Sequence, residues 1–425
     1  MRITTKKIGI LFGATALFGA LHAQNGLLND LNTRPLTARA AALGNAAATL
    51  VDDASALSIN PAGLAKIYGF QIVTTTELGY RNGKLSENGT IANFSEAEVK
   101  EVKPLIGLNQ AAMSIPLSRD LNLGVGYSKL SNFTQFKEQW TVTQKDGSSV
   151  GKDNIDWNYY GAYHQLSTGL GWGTSRGVSK SNFYVGATVN RVFGTKYSKY
   201  NKTFAVNGNT TSNTVYASQL KVSGVYAGYG FVYETAAEYV DPSSYYPLPK
   251  TQFLFSLSGN LPYWRRNEAA GTNVLYTYKP GTLALGMGFR FVRYIDRYTH
   301  KFVTPIIQYE ITDLSQNQTF YPTTGSADPA LTGYNGNRLS MGIEFSNTET
   351  GIEPRLGVRF QNYVRKTGTG EQEKTWGICA GVGGWNVDFA ATVDFFNSEK
   401  VLTYSGGGAL DYKGAILGVM LTIRI

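Results

Sequence analysis

The sequence predicts an all-β chain, a transmembrane antiparallel β-barrel of about 14 strands. Three observations carry that prediction. Segments of roughly ten residues alternate apolar with small or polar side chains. An export signal opens the chain, and no later run of ~18 apolar residues could cross a bilayer as a helix. The gaps between the alternating segments are themselves alternately long and short.

The export signal comes first. Arg2, Lys6 and Lys7 form a basic region, Ile8 to Leu21 an apolar stretch too short to span a membrane, and Leu21-His22-Ala23 a small-residue cleavage site. Residues 1–23 are thus a signal peptide, and the mature chain starts at Gln24. The residue after the cut is not Cys, so no lipoprotein anchor is expected.

The alternation is explicit in Leu121-Asn122-Leu123-Gly124-Val125-Gly126-Tyr127-Ser128. It recurs where Leu283, Leu285, Met287, Phe289 and Phe291 alternate with Ala284, Gly286, Gly288 and Arg290. Leu339/Met341/Ile343/Phe345 against Ser340/Gly342/Glu344/Ser346, and Val387/Phe389/Ala391/Val393/Phe395 against Asn386/Asp388/Ala390/Thr392/Asp394, repeat it. A soluble sandwich also alternates, but glycine and charge on the second face suit a polar lumen. Strands are expected to begin near Tyr68, Leu105, Asp120, Asn158, Ser181, Tyr216, Thr251, Gly281, Lys301, Asn337, Ile352, Lys374, Trp385 and Lys413. The last one places Leu417, Val419, Leu421, Ile423 and Ile425 on one face, and its terminal Ile departs from the aromatic end by which assembly machinery commonly knows a barrel.

Arg81–Lys103, Tyr197–Val215, Leu261–Lys279 and Asp313–Gly336 read as long loops, and Ser118–Arg119, Tyr294–His300, Asn347–Gly351 and Gly383–Gly384 as short turns. Glu234–Lys250 is long where a short turn is due. With an even strand count both termini fall on the short-turn side, the periplasm. Ser95-Glu96-Ala97-Glu98 has the pattern of a capping box, with Glu96 four residues before Lys100, and predicts a short helix in the first long loop. Trp157/Tyr159/Tyr160, Tyr263/Trp264, Tyr294/Tyr298 and Trp385 stand near strand ends, as interfacial girdles do.

Composition agrees. Charged residues are 16% of the 425, against ~25% in ordinary soluble domains, while aromatics reach 13% and there are 48 glycines. The formal charge of +9 becomes +6 without the three signal-peptide cations, enough to favour anionic lipid and lipopolysaccharide head groups but too dispersed for nucleic acid. Cys379 is alone and reads as a small strand residue. Only His164 and His300 follow the signal peptide, with no ligands at metal spacing, so neither metal, cofactor nor enzymatic chemistry is expected. Gly124-Val-Gly126, Gly228-Tyr-Gly230 and Gly286-Met-Gly288 are strand glycines and not phosphate loops, because no helix follows them. Arg290, Arg355, Arg359 and Arg424 fall on the inward face, where a guanidinium can pair with a ligand carboxylate or with acids such as Glu344, Asp388 and Asp394.

One stretch is more particular. Between signal and first strand lies Leu50-Val51-Asp52-Asp53-Ala54-Ser55-Ala56-Leu57-Ser58-Ile59-Asn60-Pro61-Ala62-Gly63-Leu64, behind the small-residue run Ala38 to Gly44. Singly, Asn60-Pro61 is a turn dipeptide and Asp52-Asp53 a helix N-cap. In this order and place, Asp52, Asp53, Ala54, Asn60, Pro61 and Ala62 resemble the N-terminal hatch of the FadL family of outer-membrane transporters. The resemblance implies a fourteen-stranded barrel over residues 67–425 in the outer membrane of a diderm bacterium, plugged by a hatch over residues 24–66. It also implies passive uptake of hydrophobic compounds, long-chain fatty acids or hydrocarbons, past a hatch that shifts. Leu57, Ile59 and Leu64 would offer such ligands apolar surface inside the lumen. A PorV-like branch of the same superfamily implies instead a secretion component holding the C-terminal domain of a cargo protein, and a barrel acting only through its loops is a third reading. Within the hatch, Pro61 should hold Asn60 extended, leaving its amide to satisfy backbone groups.

Overall fold

The computed structural model describes residues 37–425 apart from the stretches 89–93, 100–104, 133–135, 146–149, 175–179, 207–208, 240–247, 270–273, 280, 295–299, 315–318, 322–325, 329–333, 366–371 and 404–408. Residues 1–36, the expected signal peptide and the start of the expected hatch, lie outside them.

Alternating Val, Ile, Leu, Phe, Tyr and Thr favour extended backbone, because branched and aromatic side chains pack well on a pleated surface. Fourteen strands result: β1 Gln71–Asn88, β2 Leu105–Pro116, β3 Leu121–Asn132, β4 Val150–Gly173, β5 Asn182–Val206, β6 Asn209–Glu234 and β7 Gln252–Asn260. The circuit continues with β8 Thr282–Tyr294, β9 His300–Leu314, β10 Tyr334–Asn347, β11 Glu353–Arg365, β12 Gln372–Gly384, β13 Val387–Thr403 and β14 Ala409–Arg424. Each pairs antiparallel with the next, and β1 pairs with β14 from Val73↔Arg424 to Asn88↔Ala409, so the ring closes without a free edge. Ile72 and Ile425 exchange both backbone hydrogen bonds at 2.8 Å, sealing the seam to the last residue.

The side chains divide by face as their alternation demands. Leu285, Met287, Phe289, Leu417 and Val419 are exposed on the outside, whereas Asn122, Ser340, Asp388 and Thr422 are buried on the inside. An apolar exterior around a polar interior inverts a soluble protein and matches a wall bathed in hydrocarbon.

One end of the barrel carries short turns. The tightest is Trp385-Asn386, whose φ values of 46° and 72° make the two-residue turn that suits the twist of β12 and β13. Trp385 therefore sits in the turn, 80% exposed, and β13 starts two residues later than the sequence indicated. The long connection Glu234–Lys250 belongs to this end and is pinched by pairing of Glu238–Tyr239 with Leu248–Pro249.

At the other end, much of what reads as loop is strand. Tyr197–Val215 is mostly the outer arms of β5 and β6, paired from Tyr197↔Gln219 to Val206↔Asn209. Tyr263–Ala269 and Val274–Lys279 form a hairpin on β6. The helix expected at Ser95–Glu98 is absent: Phe94–Val99 is a strand laid against Phe136–Lys145. A capping box contributes only ~1 kcal/mol, and a ladder with a strand already built onto β4 outweighs it. Of the expected girdles, Trp264 and Trp385 are exposed at strand ends, while the side chains of Trp157, Tyr159, Tyr160, Tyr294 and Tyr298 lie outside the described residues.

A closed barrel resists detergent until heated, so the unboiled chain should run faster than the boiled one on a denaturing gel. Leu417→Arg, placing a charge in the middle of the outward band, should reduce barrel stability by about 2–4 kcal/mol, read as earlier loss of the fast-running form on heating. An unchanged transition would mean this face does not meet hydrocarbon.

Candidate functional site: a plug seated on the inner wall

Residues 37–67 lie inside the ring, in its short-turn half. The segment starts with α1 Ala38–Ala42, capped by Thr37, whose hydroxyl accepts from the Ala40 amide. Gly44 and Asn45 then turn the chain with φ of 64° and 75°. A second short helix, α2 Ala56–Ile59, leads into a 3₁₀ turn Pro61–Lys66. None of these pieces is long enough to be stable alone, so the wall must hold them.

The hold begins with glycine. Where the alternation turns inward, Gly171, Gly186, Gly230, Gly342, Gly357 and Gly381 leave bare wall against which the plug backbone lies flat. A Cβ on Gly171 would stand 2.7 Å from the Ala65 nitrogen, and one on Gly342 would stand 2.8 Å from the Leu43 carbonyl oxygen. On Gly186 and Gly357 it would overlap backbone of Pro61 and of Leu43-Gly44. The alanines of the plug serve the same end, since Ala38, Ala41, Ala42, Ala54, Ala62 and Ala65 are all fully buried.

Larger side chains fill what remains. Leu43 and Leu50 pack with Leu254 and Ile306, while Leu57, Leu64 and Ile67 pack with Val51 and Ala56. Leu57 and Leu64 reach Gly124, and Ile59 touches both clusters. Leu57 and Leu64, read from sequence as ligand-contacting surface, are thus buried as packing; Ile59 alone of the three is partly open.

Polar side chains complete the seat. Asn60 is fully buried and extended at φ −154°, ψ 103°. Its amide donates to the Ala48 carbonyl at 3.0 Å and to Phe231 at 3.4 Å, and its side-chain oxygen accepts from the Ala62 amide at 3.2 Å. Pro61 occupies the first position of the 3₁₀ turn, where its missing N–H costs nothing. Wall side chains reach inward to do likewise. Asn122 donates to Ile67 O at 2.8 Å, and Gln71, Gln308 and Thr422 accept from the amides of Ala54, Ala48 and Ala38.

Charge ties the two ends down. Arg39, the second residue of buried α1, makes a two-pronged contact with Glu344 at 2.9 Å and a third bond to Asp52 at 2.6 Å. Glu344 also accepts from Arg355, which reaches Asp388 at 2.6 Å and pairs with Glu353; Asp388 in turn takes Arg424 at 3.2 Å. At the far end Lys66 pairs with Glu234 at 2.6 Å, donates to Thr49 O at 3.0 Å and lies over the Tyr184 ring.

The two acids of the motif behave differently. Desolvation opposes ionisation of Asp52, but Arg39 and Lys66 hold its carboxyl below the usual range. Burial and the adjacent Asp52 charge push Asp53 upward, against the pull of the hydrogen bond it accepts from Ser55. Ala54 is fully buried with Val73 and Ala112.

Of the four arginines expected to face inward, Arg355, Arg359 and Arg424 are committed to acids of the wall; Arg359 meets Asp394 at 2.7 Å. Arg290 contacts Gln252 at 3.2 Å and lies over Phe302, with no carboxylate on it among the described residues. The sequence reading missed Arg39, Lys66, Glu234 and Asn122. Arg39 had a signal: a cation inside a run of alanines has to find a buried acid.

Above the plug the wall changes character. Gln165, Ser167, Thr188 and Asn190 form a hydrogen-bonded belt, joined by the Tyr226 hydroxyl at 2.6 Å from Gln165. Beyond it Tyr163, Val192 and Val222 cluster with Leu220 and Tyr226, facing inward. Tyr263 stacks on Tyr226, and Arg265 lies over Tyr163.

No family model matches the sequence, and no curated protein does. Solved structures similar to the chain include a Pseudomonas aeruginosa FadL homologue, at 12% identity and TM-score 0.48 over 91% of this chain and 98% of that one. The CymD monoaromatic hydrocarbon channel follows at 10% and 0.46, over 91% and 96%, and the Ralstonia pickettii toluene transporter TbuX at 11% and 0.46, over 92% and 98%. The fold itself rests on the closed ladder.

Substituting the bare wall should unseat the plug and spare the barrel. Gly171→Val or Gly357→Val should leave the heat-modifiable form intact while residues 37–67 become sensitive to protease added inside the lumen; Gly418→Val, which faces Thr392 and not the plug, should not. Equal sensitivity in all three would sink the glycine argument. Arg39→Ala strands Asp52 and half of Glu344, which should cost the seat about 3–5 kcal/mol. Hydrogen exchange of α1 amides should then accelerate at least about a hundredfold, with little change in β3 or β4.

Proposed function

We propose that this chain is an outer-membrane channel for passive uptake of hydrophobic compounds, closed at its short-turn end by the plug, and a relative of the FadL-type transporters. The observation that carries the reading is the arrangement along the lumen. A seated plug blocks one half, and an inward apolar patch of Tyr163, Val192, Val222, Leu220 and Tyr226 lines the other. Val192 lies six residues beyond Gly186, where the plug touches β5, and Val222 eight beyond Gly230 on β6. A polar solute gains nothing from such a patch, whereas a greasy one gains roughly 25 cal/mol for each Å² it removes from water.

In this reading the long hairpins face outside the cell and both termini the periplasm. A ligand partitions from the outer surface onto the patch, crosses the polar belt and reaches the plug near Ile59. The plug then yields locally. Its two halves are held differently, residues 37–51 by the Arg39 network on β10–β14 and by Leu43 and Leu50, residues 54–67 by hydrogen bonds and glycine contacts on β1–β6. A shift of one half against the other has to break the bonds that join them, Asn60 to Ala48 O and Lys66 to Thr49 O. Fatty acids and neutral hydrocarbons are both candidates; Arg290, free of acids among the described residues, is one cation available to a carboxylate.

Reconstituted vesicles test the reading. Wild-type protein should pass a labelled hydrocarbon or fatty acid and exclude a small sugar, so that vesicles do not swell in it. Removing residues 37–67 should raise swelling about tenfold, and Asn60→Ala/Pro61→Ala should alter hydrophobe flux with the barrel intact. Loss of fatty-acid flux but not hydrocarbon flux in Arg290→Ala would name the acid as substrate. No hydrophobe flux through the wild type, or a secreted protein held in stoichiometric amount after gentle purification, would overturn the reading.

A further inference from the structure

The lipid-facing surface of β11–β14 and β1 carries a row of cations that the lumen does not use. Reading across the ladder at one height, Asn362 stands opposite Lys374, Lys374 opposite Asn397, Asn397 opposite Lys413, and Lys413 opposite Lys84. Residues directly opposite one another share a face. Lys374 and Lys413 are exposed on the outward face, two positions from the outward Trp376 and four from the outward Leu417, and neither forms an ion pair among the described residues. Lys84 holds the matching position on β1.

Below this row β11–β14 are apolar for the depth of a bilayer. Trp376 stacks on Phe395 with centroids 4.3 Å apart, and Phe360, Ile378, Leu417, Val382 and Phe389 continue the band. From Lys374 to the turn at Trp385 is eleven residues, about 25 Å of height once strand tilt is allowed for, which is the thickness of an outer-membrane apolar band. The cations therefore lie at the level of lipid head groups, on the long-hairpin side. In the register the next row outward holds Gln372 and Glu399, Asp411 and Ser86, so that row adds no cation.

We propose that this sector is a binding site for a phosphorylated, multiply acylated lipid of the outer leaflet. Its acyl chains lie on Trp376, Phe395, Ile378 and Leu417, and its phosphates meet Lys374 and Lys413. Lysine suits the task, because its stem packs along apolar surface while the ammonium reaches a phosphate as a point charge. Two such cations in one row, two strands and about 10 Å apart, match a head group with more than one phosphate better than a single-phosphate lipid. The site is independent of what passes through the lumen, and so of the transport reading.

Native mass spectrometry of the full chain in an uncharged detergent tests it, with a bis-phosphorylated, multiply acylated glucosamine disaccharide, its dephosphorylated form and phosphatidylglycerol as probes. The wild type should retain the bis-phosphorylated lipid at least about tenfold better than the dephosphorylated one. Lys374→Ala/Lys413→Ala should abolish that preference, the corresponding Lys→Arg pair should keep it, and Lys250→Ala/Lys301→Ala at the opposite rim should leave it unchanged. Heat-modifiable mobility certifies each variant as folded. Undiminished preference in the alanine pair, no preference in the wild type, or displacement of the lipid by millimolar inorganic phosphate alone would each overturn the proposal.

Discussion

The seating of the plug depends on one constraint: an irregular segment enclosed in a barrel must satisfy its backbone against a wall whose strands have already used their own hydrogen bonds on each other. Only inward side chains, or their absence, can make the contact. The chain uses both. Where Gly186, Gly342 and Gly357 remove the Cβ, plug backbone rests on strand backbone; where Asn122, Gln71, Gln308 and Thr422 reach in, plug amides and carbonyls find partners. The plug answers with Ala42 against Gly381, Ala62 against Gly186 and Ala65 against Gly171, and with Asn60 where a single side chain must serve several backbone groups at once.

The ion network depends on that seating. Arg39 can be buried only because Glu344 and Asp52 meet it together, and Glu344 can be shared only because Arg355 balances it from the wall. Buried ion pairs add little net stability over apolar packing, but removing one partner is costly, so they fix position. The effect is to register α1 against β10, β11 and β13. Leucine packing alone would tolerate a slip of the segment along the wall; a two-pronged arginine contact does not.

The wall thus sorts its charge by face. Inward cations are mostly satisfied by acids across the ladder, as Arg355 and Arg359 are. The outward cations of β12 and β14 meet no such acids among the described residues and stand where the apolar band ends. Strand alternation makes this possible, since adjacent residues see media of opposite polarity and each face can be set without disturbing the other.

Alternation is also why so much was legible in one dimension. All fourteen strands follow from a period of two, because each strand in a membrane barrel meets lipid on one side whatever its neighbours are; Leu283 to Phe291 announces itself without reference to β7 or β9. The motif Asn60-Pro61-Ala62 was equally local, proline fixing the extended asparagine before it. The sequence could not show that Phe94–Val99 would be strand, since its partner Phe136–Lys145 lies some forty residues away and only their meeting outweighs a helical capping pattern. Nor could it show that the inward glycines are a seat and not merely permitted by a polar lumen, that Leu57 and Leu64 are packing and not open surface, or that Arg39 belongs with Glu344 across 305 residues. Periodicity in the chain determined which face each residue takes, because that depends on its immediate neighbours; closure of the ring decided which faces meet, because that depends on residues brought together only when β14 returns to β1.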